Sequence, residues 1–376
     1  FIEYSIKTIA LASVPVINFF PKVNISEDEK KLPWSSNTFK FPLENFKLQS
    51  GEILKNAFLL VDVNGELNQS KSNAIIFATC FAGSHKFNQM AYGINRALNP
   101  LKYCIITPNL FCSGYSSSPS NTNSPQDGPR FPYVTYYDNI NAQNKLITEY
   151  FGITNPLMYL GFSMGAQQAF HWGALHGAKT GGIIPLCGTA KTTTQNWITL
   201  EGCKLALQSD ANYNNGDYSS PPKKGLKAFS RNYTSTLFDK EGYEEGLHLN
   251  LFDGFEDTES YLNFMDSFFG SIDANDLLGM LNTWQMGDIG KHEKFKNTKE
   301  ALANINCPAL VMPSSTDLSF PARNNIPEVK GMPNAELKVI KTKHGHLAGG
   351  MSTMLTSQED VAFIDKNIRE FLKKIT

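Results

Sequence analysis

The sequence predicts an α/β fold: a mostly parallel sheet with helices on both faces and a helical cap inserted between two of its strands. Three observations carry this. Short, continuous apolar runs recur along the chain, segments with helical spacing lie between them, and one long stretch, residues 190–300, breaks the rhythm with helical, aromatic sequence. Continuous apolar runs suit strands buried on both faces, which is the pattern of a parallel sheet. Strand–helix alternation is what a layered α/β domain requires.

The elements follow in order. Near the start, "SIKTIALASVPVINFF" (5–20) places Lys7 before an apolar stretch that Pro15 and Asn18 interrupt. It reads either as the apolar part of a cleaved secretory signal or as part of an N-terminal arm, 1–45, that packs on the core; the arm is preferred. Cellular location is left open, with a cytoplasmic one preferred. A first part of the core spans 46–189. Its opening, "FKLQSGEILKNAFLLVDVNGELN" (46–68), reads as antiparallel strands with an Asn64-Gly65 turn at the sheet edge. Buried strands are expected in "NAIIFATCFAG" (73–83), "YCIITPNL" (103–110), "PLMYLGF" (156–162) and "GGIIPLCG" (181–188). "DNINAQNKLITEYFG" (138–152) and "MGAQQAFHWGALHG" (164–177) have helical spacing, the second closing on a glycine. The Ser/Pro/Asn/Gly-rich segment 111–133 reads either as a flexible surface loop or as a loop lining a site mouth, because it follows the carboxyl end of a strand. The cap spans 190–300. A second part of the core, 301–376, carries the strands "CPALVMPSS" (307–315) and "AELKVIKT" (335–342).

Bulk properties exclude several classes. A chain of 376 residues with 41% apolar and 18% charged residues is a globular protein of one large or two ordinary domains. Its net charge of −1 gives no whole-chain attraction to nucleic acid. No apolar run reaches the ~18–20 residues needed to span a bilayer. The six cysteines form no CxxC pair and read as buried free thiols. No metal signature appears: His292-Glu293 opens an HExxH-like string, but Lys296 stands where the second ligand should be. Within the cap, residues 240–276 hold ten acidic side chains against Lys240 alone, and a basic group from Lys191 to Arg231 precedes them. Each cluster reads as a solvated face.

The chemistry gathers at Gly161-Phe162-Ser163-Met164-Gly165, where an apolar strand runs into a serine and a helix begins directly after it. A serine on such a turn adopts a strained backbone conformation, and its neighbours two residues away pack so closely that a Cβ would collide, hence the two glycines. The acid and base of a serine nucleophile in this setting follow in the order Ser, acid, His. Asp317 follows one late strand and His346 follows the next, so all three fall at the carboxyl edge of the sheet. His344 competes for the base; His346 is preferred because Gly345 and the small residues after it let a side chain turn inward. His346 then takes the Ser163 proton while Asp317 orients the imidazole. The oxyanion is expected to meet the backbone N–H of Met164 and of Phe81, the latter in the turn after the strand that begins at 73. His85 lies close by in sequence and is left out of this set.

These residues resemble the homoserine O-acetyltransferase-like family of the α/β-hydrolase superfamily over roughly residues 46–350. "RFPYVTYYDNINAQ" is similar to the family's FP-x-x-T-x-x-D-x-x-x-AQ helix entry, "GFSMGAQQAFHW" looks like its nucleophile elbow, and "TDLSFP" and "GH" look like its acid and base signatures. "GLKAFSR" and "DANDLLGML" resemble cap helices. The resemblance implies an α/β-hydrolase fold, a Ser163/Asp317/His346 triad under a cap, and a homodimer formed through cap helices. It also implies Arg231 as the cap arginine that holds a substrate carboxylate. Small-molecule acyl donor and acceptor are the partners, with acetyl-CoA or another acyl ester as donor and no bound cofactor. The homoserine enzymes place an acidic residue directly after the base, where this chain has Leu347. The first functional reading is ping-pong acyl transfer through Ser163 to an alcohol or amine acceptor. The second is an esterase with water as acceptor. A third, an inactive fold used for ligand binding, is opposed by the intact Ser/Asp/His set.

Overall fold

The computed structural model describes residues 32–252 and 254–376. The stretch 5–20, read as signal or arm, lies outside them. Eight strands form one sheet: β1 (Ser36–Lys47), β2 (Ile53–Asn64), β3 (Ala74–Ala78), β4 (Cys104–Pro108), β5 (Met158–Phe162), β6 (Ile183–Leu186), β7 (Ala309–Val311) and β8 (Ala335–Leu337), in the order β1-β2-β4-β3-β5-β6-β7-β8. Strands β4 through β8 run parallel, and β1 and β2 are antiparallel at one edge. The helices are α1 (His85–Gln89), α2 (Tyr136–Lys145), α3 (Met164–His176), α4 (Thr194–Gln208), α5 (Lys223–Thr234), α6 (Lys240–Glu244), α7 (Thr258–Gly270), α8 (Ala274–Gln285), α9 (Thr298–Ala303), α10 (Ala322–Gly331) and α11 (Gln358–Ile375).

Every residue of β3, β4, β5 and β6 is buried, as unbroken apolar runs require. Successive side chains point to opposite faces. Ile76 and Tyr159 therefore join one core with Phe170 and Trp172 of α3, while Ile75, Phe77 and Leu160 join a second core with Ile364 and Ile368 of α11. Helix α2 starts on a reciprocal cap: the Thr135 side chain accepts from the Asp138 N–H, and the Asp138 carboxylate accepts from the Thr135 N–H at 2.7 Å. That cap explains the T-x-x-D of the entry motif.

Three details differ from the sequence reading. Strand β1 begins at Ser36, inside the stretch assigned to an arm, and it pairs with β2 over its length. As an exposed edge strand containing Pro42 it has no continuous apolar signal. The hairpin turn is Leu48–Glu52, with the Leu48 N–H donating to the Glu52 carbonyl at 2.8 Å and Gly51 at φ 93°, whereas Asn64 merely ends β2. The insertion's helices α4–α9 lie between β6 and β7, and Ala303 closes α9 beyond the expected boundary at 300. Segment 111–133 is anchored: the Ser117 N–H donates to the Phe58 carbonyl, and the hydroxyls of Ser116 and Ser117 accept from the Leu60 and Phe58 N–H groups of β2. Asp276 of α8 holds its far side, accepting from the Ser120 N–H and hydroxyl at 2.9 and 2.6 Å. All six cysteines are free and buried. Among the described residues no helix is long and apolar enough to cross a membrane.

Candidate active site

Ser163 sits between β5 and α3 at φ 59°, ψ −121°. This sparsely populated region costs on the order of 1–3 kcal/mol and persists because its surroundings over-determine it. A Cβ at Gly161 would fall on the backbone of Gly165, and one at Gly165 would approach the Ala78 carbonyl oxygen of β3 to 2.8 Å. Both glycines are therefore dictated by close approach. The Ser163 N–H donates to the Leu186 carbonyl of β6 at 2.9 Å, fixing the turn across the sheet edge.

Asp317 and His346 follow β7 and β8 and meet Ser163 from the same edge. His346 Nε2 lies 2.8 Å from Ser163 Oγ, and its Nδ1 lies 2.7 Å from Asp317 Oδ2. The other Asp317 oxygen accepts the Ser319 and Phe320 N–H groups at 2.8 and 2.9 Å. That grip aims Oδ2 at the imidazole. The His346 N–H donates to the Leu237 carbonyl, and its ring stacks on Phe162 at 4.8 Å, with the Phe320 ring at 5.5 Å. Ser163, Asp317 and His346 are only 2%, 3% and 3% exposed. A carboxylate–imidazole–hydroxyl chain of this geometry can pass a proton from the hydroxyl to the ring. His344 faces elsewhere: its Nδ1 lies 3.4 Å from Asp360 Oδ2.

Past β3 the chain turns through Thr79, Cys80, Phe81 and Ala82, the last at φ 54°. The pairing of Ala78 with Gly161 sets this turn beside the elbow. Among the described residues the N–H groups of Phe81 and Met164 donate to no carbonyl or side chain. Burial pushes the Cys80 thiol up to about 12, so it holds its proton at neutral pH. The Phe81 ring packs against Phe229 and Tyr233 of α5, Phe269 of α7 and Trp284 of α8, with centroids 5.1–6.4 Å apart. Trp284 in turn stacks on Phe320 at 5.4 Å and 9°. The insertion thus meets the core in a wall of uncharged rings running from the Phe81 turn to the His346 side.

This arrangement can be compared with known proteins. Residues 73–348 match the family model described as alpha/beta hydrolase fold. The chain belongs to this family. Within it, the chain is 36% identical to an ethyl acetate hydrolase of Pseudomonas veronii over 80% of this chain and 86% of that protein. It is 26% identical to a homoserine O-acetyltransferase of Chlorobaculum parvum over 83% of this chain and 90% of that protein. An acetylester hydrolase structure from Corynebacterium glutamicum superposes with a TM-score of 0.84 at 32% identity, covering 90% of this chain and 96% of that one. The protein is an enzyme of the alpha/beta hydrolase fold, similar to esterases and, more distantly, to homoserine acyltransferases.

Two sequence expectations fare differently in this alpha/beta hydrolase. His85 is bound to Asn109, whose Nδ2 lies 3.1 Å from its Nδ1, and it packs edge-on against Tyr115. Arg231 is not turned toward the aromatic wall. It lies two residues beyond Phe229 on α5, about 200° around the helix, and Glu259 and Asp266 take up its guanidinium at 2.8 and 3.0 Å. Where the basic and acidic groups of the cap meet, Lys227 also joins Asp266 at 3.7 Å. The sequence reading named none of the wall residues Tyr233, Phe269, Trp284 and Phe320 as candidates. Only Phe320 carried a usable signal, as the Phe of "DLSFP".

Proposed function

We propose that the protein is a carboxylic-ester hydrolase acting on small, uncharged esters, with water as the acyl acceptor. One observation carries this reading against transfer to homoserine: the wall that runs from the Phe81 turn to Phe320 beside His346 is built from Phe81, Tyr233, Phe269, Trp284 and Phe320, none of them charged. An amino-acid acceptor brings a carboxylate and an ammonium, and burying either without a partner costs several kcal/mol. The arginine that would meet the carboxylate is already held by two acids. Similarity to an ethyl acetate hydrolase and an acetylester hydrolase supports the same reading.

In the proposed reaction His346 Nε2 takes the Ser163 proton as Oγ attacks the ester carbonyl. The N–H groups of Phe81 and Met164 receive the oxyanion, each donor contributing ~2.7–4 kcal/mol of transition-state stabilisation. The imidazolium, stabilised by Asp317, returns its proton to the departing alcohol. Water then attacks the acyl-enzyme with His346 again as base, releasing the acid and restoring Ser163. No cofactor takes part in these steps.

The test is the time course of p-nitrophenol release from p-nitrophenyl acetate at high enzyme concentration, with and without alcohols and amino alcohols. Steady release indifferent to every acceptor is expected, and Ser163→Ala abolishes it. A burst that stalls and is restarted by one acceptor would overturn the hydrolase reading in favour of a transferase.

A further inference from the structure

We infer that Gln168 is a positioning residue for the oxyanion-binding groups, its side-chain amide tying together the two segments that carry the Phe81 and Met164 N–H groups. The inference rests on the serine-esterase reading above. Those donors come from unconnected parts of the chain, the turn after β3 and the first residue of α3, so their mutual placement has to be enforced by something that touches both. Gln168 does so. Its Nε2 donates to the Thr79 carbonyl at 3.0 Å, two residues before Phe81, and approaches the Met164 carbonyl at 3.4 Å.

The amide cannot turn freely, because a relay fixes its direction. Both carbonyls can only accept, so the NH2 side of Gln168 must face them and its Oε1 must face away. That oxygen accepts from Gln143 Nε2 at 2.8 Å, and Gln143 Oε1 accepts the Tyr159 hydroxyl at 2.6 Å. Tyr159, on β5, is held by stacking on Trp172 at 4.9 Å. Gln143, Gln168 and Tyr159 are all fully buried. Three buried polar groups in a row would be costly unless each were satisfied, and here each is. The relay also accounts for the glutamine that ends the FP-x-x-T-x-x-D-x-x-x-AQ motif, which is Gln143, and for the second glutamine after the elbow. Strands β3 and β5 pair as far as Ala78 and Gly161, and Gly165 packs closely under the Ala78 and Thr79 carbonyls, but beyond Ala78 it is the Gln168 amide that hydrogen-bonds the turn to α3. Without the amide bridge, the turn beyond Ala78 loses its hydrogen bond to α3, and the spacing of the two donors relaxes from its set value.

Oxyanion donors act only on the tetrahedral state, so a drift between them lowers kcat and leaves substrate binding nearly untouched. Gln168→Met keeps the length and volume of the side chain and removes the bridge. With p-nitrophenyl acetate it is expected to lower kcat about 10- to 100-fold, within the loss for one misplaced donor, and to change KM less than about threefold. The Ki of a small alkylboronic acid, whose tetrahedral adduct occupies the same donors, should rise by the same factor as kcat falls, and the pH midpoint of activity should stay put. A residue that merely fills space predicts parent-like kcat and boronate binding in this variant, and either result in a folded protein would overturn the inference. So would a loss confined to KM. Should Gln168→Met not fold, Gln143→Met decides instead: it leaves the Gln168 amide in place but unsupported, and an unchanged kcat there would equally overturn it. Labelling of Ser163 in the parent by diethyl p-nitrophenyl phosphate separates the two levels. Failure to label sinks the esterase reading, whereas only the ratio of variant to parent bears on Gln168.

Discussion

At the scale of single residues, the grip on Asp317 makes a sharp prediction. Its Oδ1 is fixed by two backbone N–H groups, which leaves Oδ2 as the atom that faces His346 Nδ1. In Asp317→Asn the carbonyl oxygen stays with the N–H pair and the amide nitrogen is left facing the ring. Nδ1 must then accept, which puts the imidazole proton on Nε2, where it meets Ser163 Oγ and blocks proton uptake. Turnover of p-nitrophenyl acetate should fall on the order of 10⁴-fold, with little change in melting temperature. Near-parent turnover would place the acid elsewhere. Ser163, Asp317 and His346 were legible in the sequence because each follows a strand, in a fixed order, at one edge of a parallel sheet. Gly345, at φ 55°, turns the chain between His344 and His346, and the two rings part toward Asp360 and Asp317. Arg231 was not legible as a structural residue, since its partners lie 28 and 35 positions further on and no local pattern announces them.

At the scale of elements, buried strands and long helices were readable because hydrophobic period reports burial directly. Edge strand β1 was not, since half its neighbours are solvent. The joints between elements were illegible for a different reason: they are made by single polar side chains from distant segments. Glu328 on α10 is one. It accepts the Ala190 N–H and the Asn325 side-chain amide at 2.8 Å each, and so pins the chain where it leaves β6 for the insertion. Burial pushes its carboxyl up to about 8, from an ordinary value of 4.5. Between those two values the unfolded chain has released a proton that the folded chain still holds. The contribution to stability is therefore fully present below about pH 4.5 and declines as pH rises toward 8. Glu328→Gln cannot titrate. Whatever its constant offset, its melting temperature relative to the parent should climb from pH 5 to pH 8. A gap that stays constant across that range would mean that Glu328 ionises normally.

For the whole molecule, the proposed preference for small esters rests on the relation between insertion and sheet. Residues Pro33–Thr376 form one compact unit, so the insertion is built into the core and is not a separate body resting on it. That an aromatic, helical insertion exists was plain from its composition. Which of its rings meet the core depends on tertiary contacts between Phe81 and four residues spread from 229 to 284, and no sequence period encodes them. Trp284 is the span of this wall, touching Phe81 in the turn after β3 at one end and Phe320 beside His346 at the other. Its indole is fully buried, and under the proposed ester hydrolysis it would bound the acyl group with a rigid plane. Such a boundary should favour acetyl over longer acyl groups, because each methylene that has no room forfeits ~1–3 kcal/mol of transition-state binding. Trp284→Leu keeps the wall apolar while shortening it. The ratio of kcat/KM for p-nitrophenyl hexanoate to that for the acetate should rise at least ~10-fold in the variant, with the gain in the hexanoate value and not merely a loss in the acetate one. Equal losses on both esters would mean that the acyl chain lies elsewhere, and the size limit would have to come from a different side of the site.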